Sequence, residues 1–362
     1  MKKSVITLAL MLVIVMLAGC AGTPVVYYSD CTCPTGAHTE DAPVETTAPA
    51  ESVPAAEGAL KTGVAILASA GESKAATAEE NGEAKYDASI VAVTVDEAGV
   101  IQGCIIDSIG TSVLFDVNGA IVSDLTAEIP TKNELGDAYN MKTYGGAVAE
   151  WYEQAAALAS YACGKTVEEL RAGAVDETGH AVDADLATTA TIYLGGYVAA
   201  VEKAVANAQH LGAQAGDELK LAIISSVDGS TPADAENAGL AQLYTNVAAV
   251  TVNGDVITSC YIDAIQAKVN FDATGTITTD LTAPMLTKNE LGDAYNMKTY
   301  GGAIAEWYEQ AASFASYITG KTADEVASIA VDETTKPTDA DLLTSVTIKI
   351  GEFQNLIAKA LN

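Results

Sequence analysis

The sequence predicts an α+β chain made of two tandem repeats, each a small antiparallel sheet packed with helices. Three observations carry this expectation. Residues 131–156 recur at 287–312 with one change, Val148 to Ile304. Within each repeat, runs with strand character come first and patterns with spacings of three and four follow. Turn and cap residues punctuate both copies at the same places. The offset of 156 residues holds without a gap from Val100 to the C-terminus. Upstream, the turn Val95-Asp96-Glu97-Ala98-Gly99-Val100 shortens to Val252-Asn253-Gly254-Asp255-Val256. These limits put the repeats at 61–208 and 218–362, joined by 209–216, which holds two glycines.

The elements follow in order. Residues 64–69 form a mostly apolar run suited to a strand. Residues 90–95 and 100–107 flank a glycine-containing turn and read as a hairpin. Residues 111–115 and 120–123 are short extended pieces around the Asn118-Gly119 turn. Val148, Trp151, Tyr152, Ala155, Ala159 and Ala162 then mark one helix face, ending at Gly164. The twin helix uses Ile304, Trp307, Tyr308, Ala311, Ala315 and Ile318 and ends at Gly320. Thr166 with Glu169, and Thr322 with Glu325, are capping boxes opening a second short helix. The segments 186–206 and 342–361 end in helical pattern. Helices on one side of an antiparallel sheet bury these faces economically. Each repeat has its own strands, capping box and terminal helix, so each is expected to fold alone.

The N-terminus reads as an address. Lys2 and Lys3 precede an apolar run at 4–16 that is short for a membrane span. Leu17-Ala18-Gly19-Cys20 closes it and resembles a bacterial lipobox, which implies a signal peptide at 1–20 and lipid on Cys20. The expected location is the extracytoplasmic face of the cell membrane, with Cys20 as the membrane anchor. Residues 21–60, rich in Pro, Thr, Ala, Ser and Glu, read as a disordered tether.

Composition narrows the partners. The formal net charge of −30 repels nucleic acid and anionic headgroups. Aromatic residues make up only 6 %, so the cores must rest on Ala, Val, Ile and Leu. Cys31 and Cys33 form a CxC in the tether, Cys104 and Cys260 occupy equivalent positions, and Cys163 has Thr319 as its counterpart. This spacing is not that of a disulfide-stapled mini-domain, and Cys104 and Cys260 read as core thiols. His38, His180 and His210 lack metal-ligand spacing. No Ser-His-Asp, P-loop or CxxC set appears, so hydrolase activity has no support, and an electron carrier or binding protein is expected ahead of a catalyst. Glu150 and Glu153 read as a solvated helix face. Trp151 and Trp307 read as helix anchors in a small-residue core, with stacking on a ring ligand as the alternative.

The sharpest motif lies near each repeat's end. Repeat one has Asp185-Leu186-Ala187-Thr188-Thr189-Ala190-Thr191, and repeat two has Asp341-Leu342-Leu343-Thr344-Ser345-Val346-Thr347. Both resemble the flavinylation motif of the FMN-binding domain family, found in NqrC and RnfG subunits and in flavin-carrying extracellular lipoproteins. That motif is Asp, two variable residues, Ser or Thr, Gly, Ala, Thr. Leu135-Gly136-Asp137, Trp151 and Gly164-Lys165-Thr166, with their repeat-two counterparts, follow the family's order of elements. The resemblance implies covalent FMN on Thr191 and Thr347, set in place by a flavin transferase. It also implies Asp185, Asp341, Thr188 and Ala190 as supporting residues, and quinone or surface redox partners for an electron carrier. The departures are Thr189 and Ser345 at the motif Gly and Val346 at the motif Ala. Thr191, with one misfit, is therefore the expected first acceptor. Val346, Ile348 and Ile350 alternate with Thr347 and Lys349, which predicts a short strand there. Two other readings stand beside the carrier: a flavin-free ligand-binding lipoprotein and a structural surface lipoprotein.

Overall fold

A computed structural model describes residues 58–361. The lipobox with Cys20, the tether as far as residue 57, and Cys31 and Cys33 lie outside the described residues. Repeat one runs β1 (Lys61–Ser69), β2 (Gly82–Val95) and β3 (Ile101–Phe115). Then come α1 (Lys132–Leu135), a 3-10 turn (Gly136–Tyr139), α2 (Met141–Gly145) and α3 (Trp151–Ala162). The repeat closes with α4 (Val167–Ala174), α5 (Ala184–Thr189) and α6 (Gly195–Ala206). Repeat two follows the same plan with β4 (Glu218–Ser226), β5 (Gly239–Asn253) and β6 (Val256–Phe271). Its helices are α7 (Lys288–Leu291), α8 (Met297–Gly301), α9 (Trp307–Ile318), α10 (Ala323–Ala327) and α11 (Gly351–Leu361). A 3-10 turn (Leu342–Thr344) stands where repeat one has α5.

The chain is α+β, with one three-stranded antiparallel sheet per repeat in the orders β1-β2-β3 and β4-β5-β6. A bulge interrupts the pairing at Thr94/Val95 and again at Thr251/Val252, where the shortened turn begins. The strands outrun the sequence reading. Residues 111–115 are the far end of β3 rather than a separate piece. Residues 120–123 form no strand, and Ile121 makes a single bridge to Phe115. The early part of β2 alternates Ala84, Tyr86 and Ala88 with Glu83, Lys85 and Asp87, a weak signal because its apolar side chains are small or bear a hydroxyl.

The two faces of each sheet have different neighbours. Val91, Val93, Val95, Ile101 and Ile106 pack under α3 and α6. The opposite face of β2, with Ala88, Ile90 and Ala92, joins one cluster with Val247, Ala249, Tyr261 and Ile265 of repeat two. Phe115 and Phe271 stack across this inner layer with centroids 4.0 Å apart and planes 6° apart. The Tyr86 hydroxyl donates to the Ala241 carbonyl at 2.8 Å. The arrangement is reciprocal: Lys203 pairs with Glu290, and its counterpart Lys359 pairs with Glu134, each at 2.5 Å. The tight turns also dock reciprocally. Ala76 N–H donates to Gly275 and Ala233 N–H to Gly119. Gly119 and Gly275 have φ of +74° and +69°, and a Cβ on either would strike an alanine of the other repeat. The layers are therefore helices, sheet, sheet, helices, with two inner clusters drawing side chains from both repeats. The joint is pinned as well, because Leu60 and Thr62 N–H donate to Ala213 and Gln209.

Two local expectations are corrected. The helix starts at Trp151, leaving Val148 and Ile304 exposed, because Glu150 and Glu306 cap the N-termini of α3 and α9. The segment 346–350 is no strand but an irregular connection into α11, in which Val346 and Ile350 both turn into the repeat-two core.

Candidate functional site

In both repeats the motif threonine sits in the connection before the last helix, and a buried glutamine holds it. Gln310 of α9 is fully buried, and its Oε1 accepts from Thr347 N–H at 2.8 Å and Ile348 N–H at 3.2 Å. The Thr347 hydroxyl lies 3.2 Å from the same oxygen. Gln310 Nε2 donates to Ala305 O at 2.8 Å. Gln154 repeats every contact with Thr191, Ile192 and Ala149. A carboxamide oxygen can orient a hydroxyl but cannot take its proton. The helical spacing places Gln154 on the apolar face, where a single polar residue looks like pattern noise and carries no local signal of its role.

Of the paired glutamates, Glu153 is exposed as expected but Glu150 is not part of a solvated face. Glu150 and Glu306 are buried, and each carboxylate accepts from two backbone amides of the preceding short helix: Met141 and Lys142, or Met297 and Lys298. Glu153 and Glu309 close the capping boxes on them. The near-identical block thus encodes a loop whose backbone donors are tied down by carboxylates at its base.

The remaining motif residues have mostly structural places. Leu186, Ala190, Leu342 and Val346 are core residues, so Val346 at the motif Ala adds apolar contact. Asp185 and Asp341 are exposed, and their carbonyls accept from the Thr188 and Thr344 hydroxyls. The first-turn cap is Asp183, with Asp339 as its counterpart. Ser345, at the motif Gly, has φ −129°, a conformation open to any residue.

Beside Thr347 opens a cleft of about 970 Å³, at the upper end of small-molecule sites. Thr347, Ile348 and Lys349 line it with Met297, Trp307, Lys336, Glu352 and the buried Lys288. Three of the chain's 18 basic residues thus meet in one cleft of an acidic protein. Lys288 is 5 % exposed. Its Nζ donates to the Tyr244 hydroxyl at 2.9 Å and lies 4.5, 4.7 and 5.1 Å from the ring centroids of Tyr244, Trp307 and Tyr295. Burial pulls its pKa down to about 8, against the opposing pull of Glu352 and Asp263. Burial pushes the Tyr244 phenol well above its usual range.

Repeat one is furnished differently at the same place. Asp87 stands for Tyr244, His180 for Lys336, Tyr193 for Lys349 and Gly196 for Glu352. Tyr193 lies edge-on to His180, and a Cβ on Gly179 would come within 2.2 Å of its ring. Thr335 replaces that glycine in repeat two and keeps φ +64°. Lys132 still sits over Trp151 at 5.2 Å but is only half-buried. Thr191 is exposed.

A second groove, of about 1,020 Å³, lies where the joint meets β6 and α9. Asp263 lines it, with its pKa pushed up to about 6 by burial despite hydrogen bonds from Thr287, Asn289 and Ala264. Among the described residues there is no cluster of metal-ligating side chains and no helix long and apolar enough to cross a membrane. No protein-family model matches the chain, and neither does any curated protein or solved structure.

Proposed function

We propose that this chain is a lipoprotein anchored by Cys20 on the extracytoplasmic face of the membrane, and that its second repeat carries FMN through Thr347. The observation that carries the cofactor reading is that Thr347 lines one cleft together with Lys288, Lys336 and Lys349. A phosphate ester on Thr347 would keep negative charge close to ammonium groups, the chemistry such a donor set suits. Met297 and Ile348 offer apolar wall for a ring. The negative φ at Ser345 removes a backbone reason for requiring glycine there. Bound FMN would supply one- and two-electron redox chemistry, and the protein would position the flavin and tune it through local charge. A flavin transferase and a quinone or surface redox partner complete the proposal.

The sequence favours Thr191 as first acceptor; the cleft favours Thr347. Intact mass of the protein made with its host's flavin transferase tests this. One added FMN, lost in Thr347→Ala and retained in Thr191→Ala, is the expected result. A colourless protein with no added mass would overturn the flavin reading.

One observation favours a flavin-free ligand-binding lipoprotein instead. Side chains stand at Thr189 and Ser345, where the family motif has glycine for close approach of phosphate. In that case the cleft would bind a small anion without colour.

A further inference from the structure

The cleft uses none of the cysteines, and the repeats differ in them. Cys104 lies on β3, on the face under the helices, and packs against the repeat-one core. Cys163 is the C-cap residue of α3 and packs against the same core. Two backbone hydrogen bonds stitch this cap to the start of β3: Gly164 N–H to Ile101 O at 2.8 Å, and Ile101 N–H to Lys165 O at 2.9 Å. The Cys104 backbone amide draws the Cys163 thiol's pKa down, against the larger upward push of burial. Repeat two gives an independent view of the same spot. There Cys260 and Thr319, the counterparts of Cys104 and Cys163, line one groove together with Ala315.

We propose that Cys104 and Cys163 are a redox pair that closes a disulfide across repeat one, tying the end of α3 to β3. The oxidant is a disulfide-bearing thiol compound. Cys163 is the entry point, because it sits half-buried at the end of α3 and burial pushes its thiol up less than that of Cys104. Its thiolate attacks the oxidant's disulfide, forming a mixed disulfide and releasing one reduced thiol. The Cys104 thiolate then attacks the Cys163 sulfur and expels the second. The two thiol protons leave through solvent and are recovered on the two reduced oxidant thiols. Burial raises both thiols above their ordinary range, Cys104 well above it, so exchange is slow near neutrality and quickens as pH rises. Cys260 is buried and faces threonine instead of a second thiol, so repeat two has no equivalent lock.

The test treats the full chain with oxidised glutathione, blocks remaining thiols after unfolding and maps the peptides. The expected product is a peptide pair joined through Cys104 and Cys163, lighter by two hydrogens and separated by dithiothreitol. Cys163→Thr, the residue repeat two already carries, should abolish the pair without unfolding the protein. The thermal midpoint of the oxidised wild type should exceed that of the reduced form by roughly 5–10 °C, and oxidation should not raise it in Cys163→Thr. Recovery of Cys104 and Cys163 as separate thiols, as separate glutathione adducts, or joined to Cys31 or Cys33 would overturn the pairing.

Discussion

The two repeats share one backbone plan and almost one sequence through their middle, yet their motif ends have diverged in chemistry. In repeat one, Tyr193 lies against Gly179 and His180, and Thr191 is exposed beside it. In repeat two, Lys349, Lys336 and the buried Lys288 surround a cleft that Thr347 borders. The identical parts, Gln154 and Gln310 with Glu150 and Glu306, hold the loop in both. A duplicated scaffold can therefore be kept for its fold while four or five positions change what its opening accepts.

The comparison breaks most severely if the repeats are separated. Residues 218–362 alone would expose Val247, Ala249, Ile265 and Phe271, which the other repeat covers. We expect an aggregated or molten product, in contrast to the sequence expectation that each repeat folds alone. Sharp cooperative unfolding of the isolated repeat, measured by calorimetry, would show the shared clusters to be dispensable. Within the intact chain, Phe271→Ala removes one ring of the inner stack and should lower stability by about 3–5 kcal/mol. Denaturant unfolding followed at Trp151 and Trp307 should shift together. A shift confined to Trp307 would mean that the halves are uncoupled.

Gln310→Ala leaves the Thr347 and Ile348 amides without their acceptor. A loss of about 2–3 kcal/mol follows from unpaired buried donors, and Gln154→Ala should match it. Unequal losses in urea titrations would reveal that the loop is held differently in the two repeats.

Lys288 sharpens the contrast through pH. Its folded pKa of about 8 lies below the ordinary lysine value of 10.5, so the unfolded chain holds this proton more tightly. The resulting penalty is fully present below pH 8 and disappears as pH rises from 8 to 10.5. Lys288→Met should therefore stabilise the protein near neutrality by about 1–2 kcal/mol, less than the ~3 kcal/mol the shift alone implies, because the ring contacts are lost. The gain should vanish above pH 10.5. A gain independent of pH would point to better packing as its source. The smallest effect is at Thr335, whose φ of +64° suits glycine. Thr335→Gly should raise stability by about 0.5–1 kcal/mol, and a fall in thermal midpoint would mean that its contact with Gly351 matters more than backbone strain.

Much of this architecture is legible in the sequence. Turn residues such as Asn118-Gly119, the capping boxes at Thr166 and Thr322, and the helix punctuation at Gly164 act over a few residues, so sequence determines them directly. The repeat limits were readable for the same reason, since 131–156 and 287–312 are the same local instructions given twice. The short strand expected at 346–350 failed because period-two alternation records which side chains are buried, not whether another strand lies beside them. Val346 and Ile350 are buried under a helix.

What tertiary structure alone decided is what each buried face touches. Alternation at Ala88, Ile90 and Ala92 says that a face is apolar, and either helices or a second sheet would satisfy it. Only packing over a separation of about 156 residues makes it the other repeat's sheet. Gln154 and Gln310 look like strays on an apolar helix face until the fold brings the motif threonine to them. The cleft was hidden for the same reason. Lys288, Lys336 and Lys349 are scattered cations along the chain, and their shared meaning comes from convergence at one opening, a property of distances that no local pattern encodes.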